Sequence, residues 1–155
     1  MSRSMKKLYL IRHAKSSWKD LFVDDFDRPL NKRGKKDAPL MGKRLKEKGI
    51  KPDLIISSPA LRAKTTAQVI AKELGFKEIV YDEKIYEADE ETLYEIVKNL
   101  DSRYKTVFLV GHNPGLNMLA EKLVGLNDNI PTCGVVEIDL DARRLISFEY
   151  PKMYK

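Results

Sequence analysis

At 155 residues, 43% of them hydrophobic and 34% charged, the chain is long enough to bury most of its apolar surface around one core and too apolar to stay unfolded. It reads as one domain over residues 1–155, and its net charge of +6 permits an anionic partner without choosing between nucleic acid and a phosphorylated compound. No segment approaches the roughly 18 uninterrupted apolar residues of a membrane span. The apolar run in the opening "MSRSMKKLYLIRHA" is too short for a signal-peptide core, and the lone cysteine, Cys133, excludes an internal disulfide framework. The expected setting is a reducing cytoplasm.

Residues 7–11, "KLYLI", predict a short central strand. A helix follows over 31–48, with Ala38, Met41 and Leu45 on one face and Asn31 placed to cap it; Pro39 removes a helix hydrogen bond and predicts a kink or a later start. Residues 53–57, "DLIIS", repeat the strand form and lead through "SSPA" into a helix over 60–74. The next helix, 89–100, opens on Asp89 as cap with Glu90 and Glu91 in its first turn. "TVFLVGH", 106–112, is a third apolar strand, and 115–124 a fourth helix. After Cys133, "GVVEIDLDARRLISFEY" alternates about a polar turn, the pattern of an antiparallel hairpin at a sheet edge. Apolar strands separated by helices are joined by crossovers and run parallel, so the predicted class is a three-layer α/β/α sandwich with a mostly parallel mixed sheet.

Two strands end in the chain's only histidines. The first ends in Arg12 and His13, the third in Gly111 and His112, and the second runs into Ser57, Ser58 and Arg62. Ligands of open α/β sheets bind outside the carboxyl ends of the strands, so these groups are candidates for one shared pocket. Two arginines are suited to phosphate, because each guanidinium presents a planar fork of donors to two phosphoryl oxygens. An imidazole can attack phosphorus near neutral pH while a second donates, and fixed cations supply charge stabilisation without a metal. The turn after His112, with Pro114 and Gly115, suits a helix N-terminus whose N–H groups favour an anion. Ser16 and Asn113 are further candidates for hydrogen bonds to the phosphate. Arg28 and Asn31 read as braces of the loop, the basic run from Lys32 to Lys48 as a solvated face, and Cys133 as a buried thiol. Neither "HxxxH" nor clustered cysteines occur, so no metal site or cofactor is expected.

The motifs "LIRHAKS", "SSPALRAKTTA" and "VGHNPGL", in that order, resemble those of the histidine phosphatase superfamily, the phosphoglycerate mutase-like fold. The short length and the run "DDFDRPLNKRG" bring the chain closest to the small phosphohistidine phosphatase branch, and the resemblance covers nearly the whole chain. It implies that His13 is the nucleophile that becomes phosphorylated and that Arg12, Arg62 and His112 bind the phosphoryl group.

Larger members of that family carry, in an insertion, an acidic residue that protonates the leaving group. Here the segment between Arg62 and His112 leaves little room for such a lid. Glu87, in "KIYEADEE", lies where some relatives place an acid, though in a different motif; Asp20, Asp24, Asp25 and Asp27 are alternatives in the loop after His13. A phosphohistidine substrate relaxes the requirement, because the P–N bond breaks readily once the imidazole is protonated. The expected partner is therefore a phosphorylated protein bearing phosphohistidine, or a small phosphorylated molecule. Two other readings stand beside it: a small-metabolite phosphomonoesterase or mutase, and a non-catalytic phosphoprotein- or RNA-binding module using the same basic rim. Trp18, Phe22 and Phe26 lie near the pocket loop, but three rings on an acidic loop are a poor stacking platform, so neither nucleic acid nor membrane is an expected partner.

Overall fold

Alternation along the strands decides which helices they meet. A computed structural model describes residues 6–155; residues 1–5, the start of the stretch weighed as a signal segment, lie outside them. Its strands are β1 (Lys7–Arg12), β2 (Leu54–Ser57), β3 (Ile79–Tyr81), β4 (Thr106–Gly111), β5 (Val135–Asp139) and β6 (Arg144–Glu149). Its helices are α1 (Lys32–Glu47), α2 (Leu61–Leu74), α3 (Glu90–Lys98) and α4 (Gly115–Val124). Leu8, Leu10, Leu54, Ile56, Val107 and Leu109 point to one face of the sheet and pack with Leu93 and Val97 of α3 and Leu116 and Leu119 of α4. Tyr9, Ile11, Ile55, Phe108 and Val110 point to the other face, against Ala38, Met41 and Leu45 of α1 and Ala67 and Ile70 of α2. Both faces of the central strands are thus buried, which explains why they read as continuous apolar runs.

The sheet order is β3-β2-β4-β1-β5-β6, a three-layer α/β/α sandwich with parallel pairs β1–β4, β4–β2 and β2–β3 and an antiparallel edge made by β5 and β6. Strand β3 has no counterpart in the sequence reading. It is three residues long and only Ile79 is half-buried, so its apolar run, Ile79 to Tyr81, is too short to signal a strand. Helix α1 continues through Pro39 without a break. The Asn31 side chain caps it by accepting from the Gly34 N–H at 2.8 Å, and full burial of Ala38, Met41 and Leu45 outweighs the one hydrogen bond that proline removes.

Two joints bring the site together. In the β1–β4 register Arg12 stands opposite Gly111, and the His13 N–H donates to the Gly111 carbonyl at 3.0 Å, so His13 and His112 leave adjacent strands side by side. On the other flank of β4, the Ser58 N–H donates to the Val110 carbonyl at 3.0 Å, which carries α2 and Arg62 to the same edge. A third joint closes the rim: Gly115 opens α4 with its Cα against the Ala88 carbonyl, where a Cβ would collide with that oxygen. We expect Gly115→Ala to destabilise the protein by about 1–3 kcal/mol through this overpacking, as checked by chemical denaturation, and to shift the turn that carries Tyr86 and Glu87.

Candidate active site

Arg12, His13, Arg62 and His112 converge at the carboxyl ends of β1, β2 and β4. The His13 and His112 rings lie 5.1 Å apart between centroids, and each residue is more than nine-tenths buried. Nδ1 of His13 is 2.7 Å from the Ala14 carbonyl oxygen. A carbonyl only accepts, so Nδ1 carries the proton and Nε2 keeps its lone pair. The Ala14 N–H in turn donates to the Thr66 hydroxyl at 2.9 Å, which itself donates to the Arg62 carbonyl at 2.7 Å. Thr66 thereby ties the backbone beyond the nucleophile candidate to the first turn of α2.

His112 places Nε2 2.8 Å from the Ser58 hydroxyl, while its Nδ1 is buried without a partner among the described residues. Arg12 donates through Nη1 to the Ile130 carbonyl at 2.9 Å, and its Nε is likewise buried and unpartnered. Buried polar groups are normally satisfied, so the nitrogens left over on both residues are available to a hydrogen-bonding ligand. Beside them opens a cavity of about 400 Å3 whose wall includes Arg62, His112 and Glu87.

Arg62 has a partner the sequence reading did not assign. Its Nη1 donates to the Asp25 carbonyl and its Nη2 to the Asp25 carboxylate at 3.0 Å, while the Tyr86 hydroxyl donates to the same carboxylate oxygen at 2.7 Å. The Tyr86 hydroxyl, together with Arg62, holds the Asp25 carboxyl below its ordinary range. Asp25 is therefore an anchor for Arg62 in this state and a poor proton donor, which removes it from the acids considered above. Tyr86 also packs edge-on against His112, 5.6 Å between centroids, and against Phe26 at 5.2 Å. Its only sequence signal is its place next to Glu87 in "KIYEADEE".

Asn113 plays a structural part in this arrangement. Its amide nitrogen donates to the Ile130 carbonyl at 3.1 Å and to Asn117 Oδ1 at 3.0 Å, and its Oδ1 accepts from the Asn117 N–H at 3.0 Å. The Ile130 carbonyl thus receives both Asn113 and Arg12. The first N–H groups of α4 are spent the same way, Leu116 on the His112 carbonyl and Asn117 on the Asn113 side chain, so the anion-facing helix start expected there is largely self-satisfied. Ser16 is buried and bridges to Leu30 through its backbone. Arg28 braces the loop as expected, donating to the Ser17 and Asp20 carbonyls with its guanidinium 3.8 Å over the Trp18 ring. Glu87 is exposed on the cavity wall and adopts φ 56°, an unusual backbone for a residue with a side chain. Cys133 is fully buried, which raises its thiol pKa.

Known proteins sharpen this picture. The family model of the histidine phosphatase superfamily (branch 1) matches residues 8–96, and the chain belongs to that superfamily. Within it the chain falls in the small SixA-like branch. It is 35% identical to a candidate phosphohistidine phosphatase SixA of Agrobacterium tumefaciens, with a TM-score of 0.87 over 94% of this chain and 98% of that one. The fold is shared with the protein histidine phosphatase SixA complexed with tungstate, at a TM-score of 0.85 and 18% identity over 96% of this chain and 99% of that one. An uncharacterized chloroplastic protein of Arabidopsis thaliana is 36% identical over 139 residues, which are 83% of this chain; the chain spans 63% of that relative's length. Among the described residues, no helix is long and apolar enough to cross a membrane.

Burial is the main cause that pushes His13 down to about 4 and His112 down to about 3, with the Arg62 and Arg12 charges adding to the effect. Both imidazoles are neutral at pH 7. The unfolded chain, with ordinary histidines near 6.5, binds more protons below that pH, so their contribution to stability is present above about pH 6.5 and is lost as pH falls through about 4 for His13 and about 3 for His112. In an NMR titration His13 should titrate near pH 4, and Arg62→Ala should raise that midpoint, because it removes a cation that disfavours the imidazolium.

Proposed function

We propose that this protein is a phosphatase that works through a covalent phosphohistidine on His13 and acts on phosphohistidine or on phosphomonoesters with good leaving groups. The observation that carries the proposal is the hydrogen bond from His13 Nδ1 to the Ala14 carbonyl, which leaves Nε2 as a buried lone pair beside Arg12, Arg62 and His112. In this reading the phosphoryl oxygens take donors from Arg12, Arg62 and His112 Nδ1. Arg62 then shares its guanidinium between the phosphoryl group and Asp25. His13 Nε2 attacks phosphorus, the bond to the leaving group breaks, and that group departs with the electron pair and a proton. Water then attacks the phosphohistidine, the N–P bond breaks, and phosphate leaves with His13 restored.

Neutral His13 is what the first step needs, and the burial that depresses its pKa provides it. Charge on the equatorial oxygens is met by fixed guanidinium groups, so the reading requires no metal. The leaving-group proton separates the two substrate classes. An alkoxide needs an acid, a contribution of roughly 10²–10⁴ in rate, whereas a protonated imidazole departs unaided. Glu87 is the carboxyl best placed to serve an ester, because it stands on the cavity wall and is tied neither to a cation among the described residues, as Asp25 is, nor to a helix cap, as Asp89 is. The cytoplasm remains the setting we propose, and residues 1–155 the single domain.

His13→Ala should cost several orders of magnitude in turnover while the protein stays folded; a variant that retains more than about a tenth of the activity would take the nucleophile role from His13. Turnover should persist in chelator. Arg62→Lys should bind vanadate more weakly than the native protein, because an ammonium cannot reproduce the forked contact. For substrate class, kcat/KM should be higher for a phosphohistidine peptide than for an alkyl phosphate. Equal turnover of the two, with selective loss of the alkyl activity in Glu87→Gln, would make the enzyme a general phosphomonoesterase.

A further inference from the structure

We propose that the cavity beside His112 is a leaving-group subsite selected by charge, which accepts an apolar group that is neutral or cationic and rejects one carrying a second anion. The inference rests on the reading that phosphoryl transfer occurs at His13. At about 400 Å3 the cavity falls within the range of small-molecule sites, roughly 300–1,000 Å3, and is large enough for one aromatic ring. It adjoins the phosphoryl site, because Arg62 and His112 form part of its wall. Ala88, Pro114 and Met118 contribute apolar surface, and Met118 is 43% exposed, so its flexible side chain can pack over a bound ring.

The charges of the wall are unbalanced. Its single cation, Arg62, is matched by Asp25, which leaves Glu87 and Asp89 with no ion-pair partner among the described residues. Both are held in place. The Asp89 carboxylate caps α3 by accepting from the Thr92 N–H at 2.8 Å, a bond that keeps it ionised. Glu87 sits on a turn pinned where the Ala88 carbonyl meets Gly115. Glu90 and Glu91 in the first turn of α3 add to the negative field and offset the positive end of that helix. Incoming dianionic phosphate is met by Arg12 and Arg62, but a second phosphate or carboxylate on the leaving group would face this wall. The unpartnered Nδ1 of His112, which is more than nine-tenths buried on the same wall and is assigned above to a phosphoryl oxygen, brings the phosphoryl group to this wall and its leaving group to the cavity.

Paired aryl phosphates test the idea, since a methylene insulates the charge from the reacting oxygen: 4-(aminomethyl)phenyl phosphate against 4-(carboxymethyl)phenyl phosphate. The native enzyme should favour the cationic substrate in kcat/KM by about tenfold or more, the size expected for a charge within several ångströms of a fixed carboxylate. Asp89→Asn keeps a good helix cap while removing the charge, so it should fold and narrow the gap several-fold; adding Glu87→Gln should close most of it. A native preference within about twofold, or a gap that the double variant leaves unchanged, overturns the subsite. Calorimetric binding of the matching benzylphosphonates reads the same preference without turnover. If neither aryl phosphate is hydrolysed yet the cationic phosphonate still binds more tightly, the phosphatase reading fails and the subsite stands.

Discussion

The parallel register of β1 against β4 is the constraint on which the rest of the site depends. Arg12 opposite Gly111 places His13 and His112 at the same height on neighbouring strands, and one backbone hydrogen bond, from His13 to Gly111, continues the ladder past the strand end. A slip of one residue would turn Leu8 and Leu10 toward α1 and α2 and Tyr9 and Ile11 toward α3 and α4. Core packing therefore sets the spacing of the two imidazoles.

Around that pair, each cation is fixed by an oxygen on a different segment. Arg12 is tied to the Ile130 carbonyl, which Asn113 also holds, while Arg62 is tied to Asp25, which Tyr86 also holds. The arrangement resembles two brackets, one from the loop before β5 and one from the loop after β1. Each fixes a guanidinium before a ligand arrives, so less side-chain entropy is lost when a phosphoryl group binds. Burial, with the same fixed charges, keeps both imidazoles neutral at pH 7, so the fixing of the guanidinium groups and the neutrality of the histidines have a common origin.

Negative charge is distributed with equal economy. Asp25 is spent on Arg62, Asp89 on the cap of α3, and Glu87 stands on the rim of the cavity. The acid question that the loop carboxylates left open is narrowed by these commitments. A residue already accepting from Tyr86 and Arg62 is held as an anion.

Much of this was legible in the amino-acid order alone. Continuous apolar runs ending in Arg12-His13 and Gly111-His112 specify central strands with polar groups at their carboxyl ends, and Asn31 and Asp89 announce helix starts, because these signals are local and depend on a few neighbouring residues. The α/β/α class and the grouping of two histidines with two arginines follow from them. What only the tertiary structure decided are contacts between distant segments: Asp25 and Tyr86 on Arg62, Asn113 and Arg12 on one carbonyl, Thr66 between α2 and the backbone beyond His13, and the three-residue β3. Side-chain commitments of this kind have no period or spacing along the chain. They arise when packing of the two sheet faces brings loops together, and an asparagine read as a phosphate ligand then finds a carbonyl and a neighbouring amide nearer at hand.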